Sequence, residues 1–358
     1  MSTSTKEIEN YKDFEIELRQ IENVNSWDKL EVDLIGHEHI STKLTKNGKE
    51  LKLEVAARLN HNDDEIENFS FIVDNVIYET GIIDHTSSSS KISLDFPASF
   101  STTYNIRTFQ TEEFKSNGVF KTFYQTDLDN FNTFHYEFET VTYQSKGHDY
   151  FYDCLRINLN GIDYDITRFK TETHGYYIFE NLDEETFEKY QQICFSIRQA
   201  IGFINKFMPG DEEYVFDDSG KMYYSNFIRP AVRGMYKPVS FNPYGFLEVG
   251  RSVAEEYYGK LTRISLNVLS DLISEIHTNP DFATAILMIL EVTASRSLLL
   301  IPSTFSVLIE LLSKAIGNNE TGIKIPIDDP LLKEKIIEEL HNVIDENSDS
   351  LSEESMLK

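Results

Sequence analysis

Cysteine is almost missing from this chain: two residues, Cys154 and Cys194, stand in 358. They lie in different segments and make no C-x-x-C pair, so neither a disulfide framework nor a zinc site is indicated. Both are expected to be small core residues. Positive charge is scarce as well. Lys and Arg number 33 against 60 Asp and Glu, a formal net charge of -27, and a surface field of that sign opposes the approach of a phosphate backbone. Nucleic acid is therefore disfavoured as a partner of the bulk surface, while the acidity itself serves solubility.

No apolar run is long and clean enough to span a bilayer. The longest, residues 283–301, contains Glu291 and Arg296, and a charge in mid-span costs about 2.5–3.5 kcal/mol in lipid. The N-terminal MSTSTKEIENYKD has no apolar h-region, so no standard signal peptide is expected and the chain is expected to be cytoplasmic. Neither G-x-S-x-G nor a G-x-x-x-x-G-K-S/T loop occurs, which removes the usual signatures of nucleophilic hydrolysis and of P-loop NTPases. No cofactor and no metal are expected. His37 and His39, in Gly36-His37-Glu38-His39, have the spacing of two ligands on one strand face, but no third ligand is evident nearby.

What is present is apolar and aromatic: 25 Phe and 19 Tyr, with 40% hydrophobic residues, far above a disordered chain. At this length one core gives way to two, so two domains are expected. The first, residues 1–180, is β-rich. After a polar start, Phe14, Ile16 and Leu18 alternate with charged residues and predict a strand. Asn47-Gly48 predicts a tight turn joining strands at 40–44 and 51–57, and Asn160-Gly161 one joining 154–159 to 162–169. Asn117-Gly118 is a third candidate turn. Short β-like runs at 69–73, 76–80, 92–96, 104–109, 119–124, 134–143 and 176–179 fill the interval, which points to a sandwich or barrel. The serine run 87–90 is expected to be a loop.

At Asn181 the period changes. Phe187, Tyr190, Cys194, Ile197, Ile201, Ile204 and Met208 follow three-four spacing, with Asn181 and Glu184 as a capping box and Pro209-Gly210 as the stop. Residues 211–244 are aromatic and irregular, with a turn at Ser219-Gly220, and are expected to be a connector; residues 181–244 thus form an amphipathic helix and aromatic connector. Arg229, Arg233 and Lys237 are a local excess of positive charge there and are the candidate binding residues. A helical domain follows at 245–344, with helices at 246–258, 261–277 and 331–344 around a strongly apolar stretch. That stretch, 283–301 and 303–316 about Pro302, is a hairpin or a kinked helix, is apolar nearly all round and is expected to be buried. Residues 345–358 are acidic and serine-rich, hence an expected disordered tail.

The order of a strand-rich part, a helix ending Ile201-Gly202-Phe203-Ile204 before Pro209-Gly210-Asp211-Glu212-Glu213-Tyr214, the connector Tyr236-Lys237-Pro238, and an apolar hairpin followed by Pro326-Ile327-Asp328-Asp329 resembles the bacterial ApeA-like proteins. These carry a HEPN helical domain and are associated with phage defence. The resemblance covers residues 186–344 and rests on texture more than on an invariant motif. For active members it implies metal-independent RNA cleavage by an Arg-x4-6-His pair on a helix, in a dimer. The single match here, Arg168 to His174, lies in a predicted strand and turn with Phe169 inside it, and is taken as chance. The expected fold is α+β, an N-terminal β-sandwich or barrel-like domain followed by a C-terminal all-helical domain. The expected function is a non-catalytic binding or sensing protein, with a protein partner or homo-oligomer and no membrane; the alternative is a HEPN-type ribonuclease toxin.

Overall fold

The computed structural model describes residues 14–37, 39–48, 50–56, 69–81, 83–93, 96–128, 134, 138–145, 148–151, 154–205, 208–210, 212–227, 263–294 and 300–319, with short pieces at 334–335, 338–339 and 342. The fold is α+β: sheet dominates the N-terminal and middle parts, and helices gather toward the C-terminus. Among the described residues no helix is long and apolar enough to cross a membrane.

The chain opens with a helix, α1 (Glu15–Asn25), where the alternation of Phe14, Ile16 and Leu18 predicts a strand. The period-two stretch is only five residues long, and the wider spacing of Leu18, Ile21 and Val24 overrides it: these three are buried while Ile16 is 62% exposed. Among the described residues there are eighteen strands, numbered in chain order. They are β1 (Leu30–Leu34), β2 (Thr42–Asn47), β3 (Glu50–Val55), β4 (Ser70–Val73), β5 (Val76–Thr80), β6 (Ile83–Ser93), β7 (Phe96–Ile106), β8 (Thr108–Thr111), β9 (Asn117–Gly118), β10 (Phe120–Thr126), β11 (Thr142–Ser145), β12 (His148–Phe151), β13 (Cys154–Leu159), β14 (Ile162–Lys170), β15 (Gly175–Asn181), β16 (Glu185–Thr186), β17 (Glu212–Asp217) and β18 (Met222–Phe227). Fourteen of them make one antiparallel sheet in the order β13-β14-β15-β10-β17-β18-β8-β5-β4-β1-β2-β3-β7-β6.

Along that sheet β2 and β17 are six steps apart, roughly 29 Å at the usual spacing of about 4.8 Å. Yet Lys46 of β2 and Glu212 of β17 meet at 2.7 Å. The sheet is therefore rolled, barrel-like, with α1 packed into the concave side. Leu18, Ile21 and Val24 of the helix share that core with Leu53, Phe71 and Phe109. The strands near the middle are buried on both faces, and their alternation sorts residues between two cores. Tyr176 and Ile178 point into the roll, whereas Tyr177 and Phe179 point to the outer face. That outer face is covered by α2 (Phe187–Asn205), α3 (Leu266–Thr278) and α4 (Pro280–Ala294), which bury Tyr190, Ile197, Ile273 and Ile286 against it.

Several sequence expectations are corrected. Serines 87–90 are not a loop but part of β6, held by its ladder to β7; the run 92–96 straddles the end of β6 and the start of β7. Asn117-Gly118 is no hairpin turn, because it pairs as β9 with β16. Asn181 caps no helix; its amide instead bonds the Phe120 N–H and the carbonyls of Gly118 and Asp183, and α2 starts at Phe187. Residues 212–227 of the expected connector are the hairpin β17–β18, seated inside the sheet between β10 and β8, and Ser219-Gly220 is its turn as predicted. Helix α5 (Leu300–Asn319) begins before Pro302, which sits in the first turn where no intrahelical N–H is needed. It is not buried all round: Phe305, Val307 and Ile309 are 42%, 47% and 63% exposed. The predicted helix at 246–258 and the tail at 345–358 lie outside the described residues, as does most of 331–344.

Candidate functional site

Arg229, Arg233 and Lys237, the binding residues that the sequence singles out, lie outside the described residues. His37 is in a turn, its N–H bonded to the Leu34 carbonyl and its own carbonyl to the Ile40 N–H, so no strand presents His37 and His39 together. Among the described residues no group of His, Cys, Asp and Glu is arranged to hold a metal ion. Arg168 and His174 go to different places: the guanidinium lies 5.5 Å over the Phe134 ring, in the helix-covered core, while His174 lines a cleft at the seam of the roll.

That cleft, of about 260 Å³, is where five separate segments end together. The C-terminus of α1 supplies Asn25, the β2–β3 hairpin supplies Lys46 and Gly48, and the end of β10 supplies Gln125, Thr126 and Asp127. The turn before β15 supplies His174, and the first residue of β17 supplies Glu212. Local structure explains the placement. Gly48 takes φ +56, the left-handed conformation of a tight hairpin, which brings its carbonyl back to within 2.5 Å of Lys46 Nζ. Gln125 is the direct cross-strand neighbour of both Glu212 and Tyr176. The turn holding His174 is closed by Thr171, whose hydroxyl accepts from the His174 N–H.

Electrostatically the centre is a buried ion pair. Lys46 Nζ donates to Glu212 Oε2 at 2.7 Å, and the two side chains are 2% and 3% exposed. The ammonium also lies 5.3 Å over the Phe227 ring. The Tyr214 hydroxyl donates to the same Glu212 oxygen at 2.8 Å. Asn25 Nδ2 donates to Gln125 Oε1 at 2.9 Å, and the Tyr176 hydroxyl to that oxygen at 3.2 Å. Burial pushes both phenols above the ordinary tyrosine range, reinforced by the negative charges of Glu22 and then Glu212 at Tyr176 and of Glu212 at Tyr214, so at neutral pH each is a fixed donor. Thr126 Oγ1 is buried and has no hydrogen-bond partner among the described residues.

The lysine is tied to a carboxylate, and the two tyrosines are held protonated. What the cleft offers is a set of oriented donors and acceptors on rigid strand ends. The sequence carried two traces of it, the Lys46-Asn47-Gly48 hairpin and the singled-out His174; Glu212 is one of 60 acidic residues and carries no local mark. Comparison with family models, with curated proteins and with solved structures gives no match.

Proposed function

We propose that this chain is a non-catalytic binding or sensing protein whose β-rich roll takes a small polar ligand in the Lys46–Glu212 cleft. The observation that carries the reading is a fully buried ion pair opening onto a cavity. A buried pair seldom earns its place through stability alone, since desolvation offsets most of the attraction. Here it holds the two sides of the roll together across a gap that no strand pairing bridges among the described residues, and it aligns Tyr214, Asn25 and Gln125 around the cavity. The helical part is then the surface for a protein partner or a second copy of the chain, and the exposed Phe305, Val307 and Ile309 of α5 support that assignment. The ApeA-like resemblance supports a setting in bacterial anti-phage defence, in the cytoplasm. The ribonuclease alternative has no helical Arg–His pair among the described residues to rest on.

The test is a thermal-shift screen of the full chain against a library of small amines, carboxylic acids, sugars and nucleosides. A ligand that raises the melting temperature in a concentration-dependent way, with the effect lost in Gln125→Leu, supports the reading. A blank screen, or a shift equally present in Gln125→Leu and Asp127→Asn, refutes it.

A further inference from the structure

Resting on the cleft as the binding site, we infer that its ligand is a small organic cation, a primary amine or a guanidine. Among the described residues, the one lysine or arginine in the wall is already committed. Lys46 donates to Glu212 and to the Gly48 carbonyl, lies over the Phe227 ring, and has a side chain only 2% exposed. An incoming anion reaches it only by breaking the pair.

The remaining features favour a cation. Both bonds to Glu212 end on Oε2, which leaves Oε1 to accept from a ligand N–H. The Asp127 carboxylate stands exposed at the rim. Helix α1 ends at Asn25 in the cleft wall with no basic residue in its last turn, so the negative end of its dipole is uncompensated there. The net charge of -27 draws cations toward the protein as a whole.

Size narrows the class. The cavity of about 260 Å³ holds about nine water-sized groups at about 30 Å³ each, the scale of putrescine or agmatine and below that of most drug-sized ligands.

Isothermal titration of the full chain at low salt with putrescine, agmatine, succinate and ribose tests this. One of the two amines is expected to bind with one site per chain. Loss of a charge-assisted hydrogen bond in Glu212→Gln is expected to weaken that binding by roughly tenfold or more. Asp127→Asn, at the exposed rim, is expected to weaken it about two- to fivefold. Because Glu212→Gln leaves Lys46 without its counter-charge, Asp127→Asn carries the test if that variant does not fold. Binding of succinate or ribose but of neither amine, lost in Gln125→Leu in the cleft wall, would overturn the cation assignment and leave the cleft a binding site. Amine binding unchanged in every folded variant would overturn it too, by placing the amine elsewhere. If none of the four binds and the broader screen is blank, both readings fall.

Discussion

The Lys46–Glu212 pair makes a quantitative demand on stability. At a protein surface, Lys46→Met would cost about 0–1 kcal/mol. Here both side chains are 2–3% exposed, and removing one partner leaves the Glu212 charge buried with the Tyr214 hydroxyl as its remaining donor. Breaking a pair in that setting costs about 3–5 kcal/mol. Glu212→Gln is expected to cost somewhat less, because the ammonium keeps the Gly48 carbonyl and the Phe227 ring. The double variant, Lys46→Met with Glu212→Gln, carries no buried charge, and its amide oxygen still accepts from Tyr214. It is expected to return to within about 1 kcal/mol of the wild type, since neutral replacement of both partners is nearly free. Urea denaturation followed by tryptophan fluorescence is the assay, and the chain is suited to it. Trp27 is its only tryptophan and packs inside the roll against Tyr78, Phe71 and Phe109, so the signal reports this core. A Lys46→Met midpoint within about 1 kcal/mol of wild type would mean the pair is solvated; a double variant no better than Lys46→Met would mean that lost packing, not charge, sets the cost.

Gly202→Ala on α2 would place a Cβ 2.8 Å from Met208 Cβ and 3.0 Å from its Cα; a net loss of about 1–3 kcal/mol is expected despite the better helix propensity, and an unchanged urea midpoint would count against the close crossing. His277, at the end of α3, has its pKa lowered from 6.5 by burial and then by Lys189. Its neutral form is the folded one, so that stability is fully present above pH 6.5 and is lost as pH falls through the lowered pKa; His277→Gln should flatten the fall in urea midpoint on acidification, and an unaltered profile would remove His277 as its source. The purified chain is expected to leave RNA intact at low salt, where attraction is least screened; cleavage abolished by Arg168→Ala or His174→Ala would reinstate the ribonuclease. If α5 is a contact surface, Ile309→Asp should lower the mass measured in solution by light scattering, and a wild-type mass already equal to one chain would exclude self-association.

Strands were legible where a period-two run stood between unambiguous turns. Cys154–Leu159 and the Asn160-Gly161 turn fall where the sequence predicts, with Asn160 at φ +54 and Gly161 at φ +87. The helix α2 was legible because its stripe persists for five turns. What failed was structure imposed from a distance. Serines 87–90 have no strand propensity of their own, and β7 supplies their ladder. Residues 212–227 looked irregular because their apolar faces serve two cores at once, Val215 outward and Tyr214 and Phe216 inward. The expectation that apolar on all sides means buried failed on α5. The cleft was the least legible of all, since Lys46 and Glu212 are 166 residues apart, and only the curl of the sheet brings them together.

The seat of β17–β18 between β10 and β8 sets a timetable for the newborn chain. When β10 leaves the ribosome, the hairpin that must dock beside it is still about 100 residues from being complete, roughly 5–20 s at about 5–20 residues per second. Through that interval the edges of β10 and of the four-residue β8 stand open in the middle of a hydrophobic sheet, the condition under which strands recruit wrong neighbours. Release of the finished sheet therefore waits on residue 227, and a chain cut at residue 180 would be left as an aggregation-prone half rather than a smaller folded domain.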